Sequence, residues 1–253
     1  MSQFCKAKIR LLCVLLFGGL LLFLVPAART YAEGPYKNCN PSEVHPIWWK
    51  ATIRYDVSGR IEETGERVNL ESGDKVTVVS YDRTGSKRIM LKDGTHTTVS
   101  ANAVEVYEDA CTPGDYSRET KTRFVNSRKL TSKTKYLIWV STDMQSLNIF
   151  TGSNRNWTLY KSYKCSTGMA GYETPIGLRA IYEKMPVCHS IQWESDLRNF
   201  LSFGGSGIHK WPGGGMAGNI GEHPCSHACI RLGAGPSLKV YRMIPVGTRL
   251  LVY

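Results

Sequence analysis

Hydrophobic and polar positions alternate in short runs from Trp48 to Tyr107. Residues 51–55, 75–81, 88–91 and 103–107 read as strands, divided by the turn signals Ser72-Gly73-Asp74, Thr84-Gly85 and Lys92-Asp93-Gly94. About five strands in about sixty residues predict a small β-barrel module over 48–111. A second set of β-rich runs follows at 136–141, 146–150 and 157–164, with turns at Thr142-Asp143 and Gly152-Ser153-Asn154-Arg155-Asn156, and again at 178–182 and 249–253. Helix signals are sparse, with 193–200 and 234–244 the best candidates. Both halves are therefore expected to be mainly β.

The start of the chain follows another pattern. Lys6, Lys8 and Arg10 precede fifteen uncharged, mostly apolar residues from Leu11 to Val25, and Pro26 and small residues lead on to Ala32. That is the layout of a secretory signal peptide over 1–32, with Thr30-Tyr31-Ala32 or Ala27-Ala28 as the cleavage site. An uncleaved anchor is the rival reading, but the run is shorter than the roughly 20 residues a spanning helix needs, and it contains Gly18-Gly19. The expectation is export to the cell wall or periplasm, or tethering to the cytoplasmic membrane if the leader is retained. Export excludes nucleic acid as a natural partner.

Of the formal charge of +11, four positive charges lie in the leader (Lys6, Lys8, Arg10, Arg29), leaving +7 on residues 33–253. Such a basic exported protein meets anionic wall polymers, which become candidate partners. Basic residues concentrate in 117–135, seven of them against the single acid Glu119, which reads as an exposed linker or a solvated helix. The expected organisation is an N-terminal segment at 33–47, the β-barrel module at 48–111, a basic linker at 112–123 and a second domain at 124–253.

Six cysteines lie beyond the leader: Cys39, Cys111, Cys165, Cys188, Cys225 and Cys229. Cys39 and Cys111 bracket the barrel module, and a bridge between them would stiffen a domain with a small core.

Chemistry concentrates between Gly207 and Arg231, which holds three of the chain's six histidines. The stretch runs Gly207-Ile208-His209, then Pro212-Gly213-Gly214-Gly215, then His223-Pro224-Cys225-Ser226-His227-Ala228-Cys229-Ile230-Arg231. A nucleophilic thiol needs a base or a positive neighbour, and histidine shuttles its proton best near neutrality. His223, Cys225, His227 and Cys229 also suit zinc, with His209 as a fifth donor. On a strand, however, successive members would stand about 7 Å apart, too far for four ligands without a turn. Spacing alone leaves nucleophile, zinc site and structural thiols open.

Ser226-His227-Ala228-Cys229-Ile230-Arg231 resembles the Ser-His-Gly-Cys-Ile-Arg signature of the L,D-transpeptidase (YkuD-type) catalytic family, and Gly207-Ile208-His209 sits where that family has its upstream histidine. Cys165-Ser166-Thr167-Gly168 and Thr174-Pro175-Ile176-Gly177 are similar to its Ser-Thr-Gly and Thr-Pro-x-Gly elements, and Val246-Gly247-Thr248-Arg249-Leu250 to its last strand. Within the barrel module, the run from Val68 to Val76 followed by Lys92-Asp93-Gly94 loosely resembles a bacterial SH3-type domain.

The resemblance implies a β-rich catalytic domain that acts on peptidoglycan stem peptides, with no cofactor and no catalytic metal. Cys229 would attack the third, diamino residue of a donor tetrapeptide and expel the terminal D-alanine. An acceptor amine would then resolve the thioester into a 3→3 cross-link. His209 would accept and donate the proton, and His227 would position the thiolate. The N–H groups around Ala228 and Cys229 would form an oxyanion hole, with Ser226 holding the loop and Arg231 bracing it or meeting a substrate carboxylate. Resolution by water would make an L,D-carboxypeptidase. Ala228, where the family has Gly, favours a third reading, a wall-binding scaffold with a degenerate catalytic domain.

Overall fold

In strand β1 (Trp49–Ile53), Trp49, Ala51 and Ile53 are buried while Lys50 is exposed, the alternation of a strand with one face on a core. Six more strands follow: β2 (Val57–Arg60), β3 (Arg67–Leu70), β4 (Lys75–Tyr81), β5 (Ser86–Met90), β6 (His96–Ser100) and β7 (Val104–Asp109). Five of them form an antiparallel sheet in the order β6-β5-β4-β1-β7, and β2 and β3 pair as a separate hairpin. Val76, Val78, Ile89, Val99 and Val104 complete the core of this module. The computed structural model describes residues 38–81, 85–109, 114–213 and 219–253, so the leader at 1–32 lies outside the described residues.

Helix α1 (Arg118–Ser127) opens the second half, followed by β8 (Tyr136–Ser141), β9 (Ser146–Ser153), β10 (Asn156–Lys164), β11 (Gly177–Ala180), β12 (Glu183–Ser190), β13 (Ser195–Phe203), β14 (Ser206–Lys210), β15 (Ile230–Leu232), α2 (Ala234–Met243) and β16 (Arg249–Val252). Two sheets result, ordered β10-β9-β8-β16-β11 and β12-β13-β14-β15. In each, one pair is parallel: β16 with β8, and β15 with β14. Ile138, Val140, Leu147 and Ile149 of the first sheet pack with Leu201, Phe203, Ile208, Ile230 and Leu232 of the second and with Val240 and Ile244. The first sheet's other face carries Leu137, Trp139, Phe150 and Trp157, covered by Phe124 and Val125 of α1 and by Cys39 and Val44. With both faces covered, β8 is an almost unbroken apolar run.

The basic stretch expected as an exposed linker or solvated helix is instead the cover of a sheet edge. Strand β10 lies at the edge of its sheet, where unpaired backbone groups need partners. Asn126 supplies them to Trp157: its Nδ2 donates to the Trp157 carbonyl at 2.9 Å and its Oδ1 accepts the Trp157 N–H at 2.8 Å. Arg118 donates to the Leu159 carbonyl. The helix starts where the Ser117 side chain accepts the Thr120 N–H, the usual N-cap arrangement. Its positive charges therefore serve partly as backbone partners, which hydrophobic periodicity does not register.

The segment expected as a separate N-terminal piece also packs here. Thr120 and Arg123 both donate to the Cys39 carbonyl, at 3.0 and 3.1 Å, and the Ile47 N–H donates to Thr142 Oγ1 at 2.8 Å. Cys39 is a buried free thiol whose pKa is pushed up chiefly by burial, so it forms no bridge here. Cys111, its expected partner, lies outside the described residues.

The helix expected at 193–200 is also corrected: this stretch forms the turn and second strand of the β12–β13 hairpin. Leu197 and Phe200 line the same cavity although three residues apart, a spacing that mimics a helix. Asn199 between them has φ +58°, a left-handed residue within the strand. By contrast, α2 lies where the 234–244 pattern places it.

Replacing Asn126 with Ala strands both backbone groups of Trp157. Stability should fall by about 2 kcal/mol, read by urea denaturation; a loss under about 0.5 kcal/mol would show that the edge needs no such cap.

Candidate functional site

Strands β14 and β15 run parallel with Ile208 opposite Ile230 and His209 opposite Arg231, so Cys229, just before β15, comes beside Gly207. The Gly207 backbone N–H donates to the Cys229 thiol. Position 207 has no room for a side chain, since a Cβ there would stand 2.2 Å from the Phe200 ring. That ring also stacks with His209, centroids 6.0 Å apart and planes 24° apart. His209 is 1% exposed, and its Nδ1 lies 2.7 Å from the Lys210 carbonyl. A carbonyl only accepts, so Nδ1 carries the hydrogen and Nε2 is left as the basic nitrogen.

The loop before Cys229 is irregular and held by a set of hydrogen bonds from the 166–174 region. The Thr167 carbonyl accepts the N–H groups of both Cys225 and Ser226 at 3.0 Å, and Met169 N–H donates to the Ser226 carbonyl at 2.9 Å. Thr174 Oγ1 donates to the Ala228 carbonyl and accepts the Gly168 N–H, both at 2.9 Å. Gly168 allows this approach because a Cβ would meet the Tyr172 carbonyl at 1.9 Å. Ser226 Oγ donates to the Cys229 carbonyl. Ala228 itself has φ +79°, left-handed backbone that disfavours any residue with a Cβ. Outside the strand ladders, the N–H groups of His227, Ala228 and Cys229 donate to no partner among the described residues, and they are chemically suited to meet an oxyanion.

Cys229, His209, His227 and Arg231 line one cavity of about 400 Å³. Arg231 donates from Nη1 to the Cys225 carbonyl at 2.9 Å and lies over the Trp211 ring at 4.8 Å, while its buried Nε has no partner. His227 stacks on Trp193 at 3.7 Å and meets the edge of Tyr172 at 4.7 Å. Ser226 and Ala228 shape the loop from outside the lining. The zinc arrangement does not assemble: no group of three or more His, Cys, Asp or Glu side chains among the described residues could share an ion.

Two lining residues, Cys188 and Gln192, carried no sequence signal for the site, and Trp193 read from sequence either as cover for a cleft or as core. Cys188, Gln192 and Trp193 come from the β12–β13 hairpin, whose contribution is visible only once the strands are paired. Cys188 and Cys229 share the cavity, whereas Cys225 is not part of its lining and Cys165 is fully buried in the core.

Burial governs the electrostatics. It lowers the His209 pKa to about 4, with the Arg231 charge acting in the same direction and the bond to Lys210 opposing. Burial also raises the Cys229 thiol, outweighing the Gly207 N–H and Arg231. Burial thus favours a neutral thiol and a neutral imidazole in the same cavity.

Residues 135–252 match the family model of the L,D-transpeptidase catalytic domain, YkuD. Among curated proteins, none matches significantly. Three solved structures are similar to the chain. One is a fused zinc-dependent amidase/peptidase/peptidoglycan-binding domain-containing protein from Clostridium acetobutylicum, at 21% identity over 54% of this chain and 59% of that one, TM-score 0.45. Another is an L,D-transpeptidase from Stackebrandtia nassauensis, at 26% identity over 54% and 62%, TM-score 0.42. The third is an L,D-transpeptidase from Mycobacterium smegmatis, at 14% identity over 70% and 82%, TM-score 0.41. The chain spans less than two-thirds of the length of the first two.

Two outcomes follow from the strain and the burial. Ala228→Gly relieves the left-handed alanine and should raise stability by about 1 kcal/mol, whereas Ala228→Val should lower it; unfolding curves that rank the three otherwise would remove the strain argument. His209 binds its proton more weakly folded than unfolded. The stability that this neutral histidine contributes is complete above its unfolded pKa of about 6.5 and is lost as pH falls toward its folded value of about 4. Over that window His209→Gln should lose roughly 3 kcal/mol less than the parent, and parallel stability profiles for the two would contradict the buried neutral state.

Proposed function

We propose that this chain, whose residues 135–252 carry an L,D-transpeptidase catalytic domain, forms 3→3 cross-links between peptidoglycan stem peptides through a thioester on Cys229. The single observation that carries the reading is the shared cavity of Cys229 and His209, in which the imidazole has its proton tied to a carbonyl on one side and a basic nitrogen on the other. The substrate is a donor tetrapeptide stem and the acceptor is an amine on a neighbouring stem.

The donor's third-residue carbonyl carbon is attacked by the Cys229 sulfur as the thiol proton passes to His209 Nε2. The negative oxygen that develops meets the N–H groups around Ala228 and Cys229, which need no rearrangement to donate. Collapse breaks the peptide bond, His209 returns its proton to the departing D-alanine amine, and the acyl group remains on sulfur. The acceptor amine then attacks the thioester, giving up a proton through His209 and restoring the Cys229 thiol. Arg231, whose Nε lacks a protein partner, suits a stem carboxylate. His227, stacked on Trp193 and edge-on to Tyr172, borders the same space and helps to hold the donor beside the thiol.

Hydrolysis of the thioester, an L,D-carboxypeptidase outcome, uses the same groups. The scaffold reading is favoured by Ala228, a residue with a Cβ held in a left-handed conformation beside Cys229. We further propose that the protein acts outside the cytoplasmic membrane, where its substrate lies.

The deciding measurement is mass spectrometry after exposure to a carbapenem, the covalent trap that the family resemblance implies. One adduct should appear on Cys229, vanish in Cys229→Ala and form at least about 100-fold more slowly in His209→Ala, the size of effect expected of a general base. Absence of an adduct in the reduced parent, with stem peptides also unchanged, would favour the scaffold. Because burial raises the thiol pKa, iodoacetamide alkylation of Cys229 should keep accelerating above pH 8.5. A plateau near pH 6 would instead reveal a preformed thiolate–imidazolium pair.

A further inference from the structure

A second cavity, of about 390 Å³ and mostly apolar in its lining, is bordered by residues none of which lines the cavity of Cys229. Asp115 is its fixed point. Behind the carboxylate stands Lys121, its side chain only 3% exposed, with Nζ 2.5 Å from Asp115 Oδ2 and 3.0 Å from Ser162 Oγ. Asp115 Oδ1 accepts from the Tyr116 N–H at 2.9 Å and from Ser146 Oγ at 3.1 Å. The Asp115 side chain is nevertheless 40% exposed.

A carboxylate in this state has its charge met by a buried ammonium and its orientation fixed by three donors. It has little to offer a metal or an ammonium ligand. What remains is acceptor capacity held in a set direction, bordered by the rings of Tyr116 and Tyr163 and by Met144. A carboxylate beside aromatic rings fits a neutral ligand rich in hydroxyl and amide groups, whose C–H faces lie against the rings.

Tyr163 also lines a groove of about 580 Å³ with Tyr160, Lys161, Lys239, Arg242 and Met243. This lining has no acidic residue, and Lys161, Lys239 and Arg242 are exposed and make no ion pair among the described residues. The groove thus asks for negative charge, whereas the adjoining cavity holds both a carboxylate, Asp115, and an exposed cation, Lys164.

We propose that cavity and groove together bind a strand of wall glycan, with a hydroxyl- and amide-bearing sugar ring against Asp115 and Tyr163 and the carboxylates of its peptide stem along Lys161, Lys239 and Arg242. The choice of a wall glycan rests on the function proposed for Cys229. The site would hold the polymer while another stem of the same strand enters the catalytic cavity, so it raises local substrate concentration without touching the reacting atoms.

The test uses the full chain carrying Cys229→Ala, titrated by calorimetry with soluble uncross-linked glycan strands bearing tetrapeptide stems, and with the same strands stripped of peptide. The parent should bind both, the stemmed strands more tightly. Asp115→Asn should weaken both by at least about fivefold, in line with a lost charge-assisted hydrogen bond. Lys239→Glu combined with Arg242→Glu should bring the stemmed strands down to the affinity of the stripped ones. Should Asp115→Asn prove unfolded in a thermal melt, the exposed Lys239 and Arg242 pair still decides the question. Unchanged strand affinity in the folded variants, or no binding of either strand by the parent, overturns the proposal. Carbapenem acylation of the Cys229-containing chain is followed separately, so that a failure of the catalytic reading registers there and not in the glycan titration.

Discussion

The site depends first on the parallel pairing of β14 with β15. Those two short strands come from segments about twenty residues apart, and their register alone brings Cys229 beside Gly207 and sets His209 opposite Arg231. A slip of one residue would turn His209 to the other face. The register is held by apolar burial, because Ile208, Ile230 and Leu232 are inserted into the core between the two sheets. Each contributes roughly 2 kcal/mol or more in its present place, far more than any single hydrogen bond at the site. The chemistry is positioned by hydrophobic packing and only refined by polar contacts.

The same packing determines the charge state. Phe200 lies against Gly207 and His209, which excludes water from the imidazole and lowers its pKa, and the thiol is raised by the same dryness. An ion pair at rest would have to be stabilised against two desolvation penalties, and the opposite partner does not offset both. A site of this kind stores no thiolate. In the mechanism proposed above, the proton leaves sulfur as the carbon–sulfur bond forms, and the negative charge passes to an oxygen met by backbone N–H groups. Cys188, near enough to raise the Cys229 thiol further, acts in the same sense.

How far the sequence foretold this differs from one region to the next. The mainly β character was legible because β1, β4 and β8 to β10 alternate or run apolar in the way their burial requires. That Cys229 and His209 share one cavity was foreshadowed only by the family resemblance, because cysteines and histidines in one window left nucleophile, zinc site and structural thiols open. The cover of the first sheet was not legible: Asn126 and Arg118 act through backbone groups of β10 thirty to forty residues away, and buried Lys121 looks in sequence like any surface lysine. The hairpin of β12 and β13 was misread because Leu197 and Phe200, which line one cavity, stand at a helical spacing, with the left-handed Asn199 between them. In both failures the deciding partner is distant in sequence or the deciding conformation belongs to one residue.

Ala228 shows how such a local departure is accommodated. A left-handed alanine costs about 1 kcal/mol relative to glycine, which is within what a single hydrogen bond contributes. Its carbonyl is held by Thr174, the next carbonyl by Ser226, and Ser226 in turn by Thr167 and Met169. The loop therefore keeps its shape because the 166–174 segment fixes its carbonyls from one side. Fixing the carbonyls inward leaves the N–H groups of residues 227 to 229 without acceptors of their own. Among the described residues this follows from the hydrogen bonds that the neighbouring segment makes to the loop. The Cβ at 228 thus bears on the energy of the loop, while the hydrogen bonds to its carbonyls hold the arrangement around Cys229.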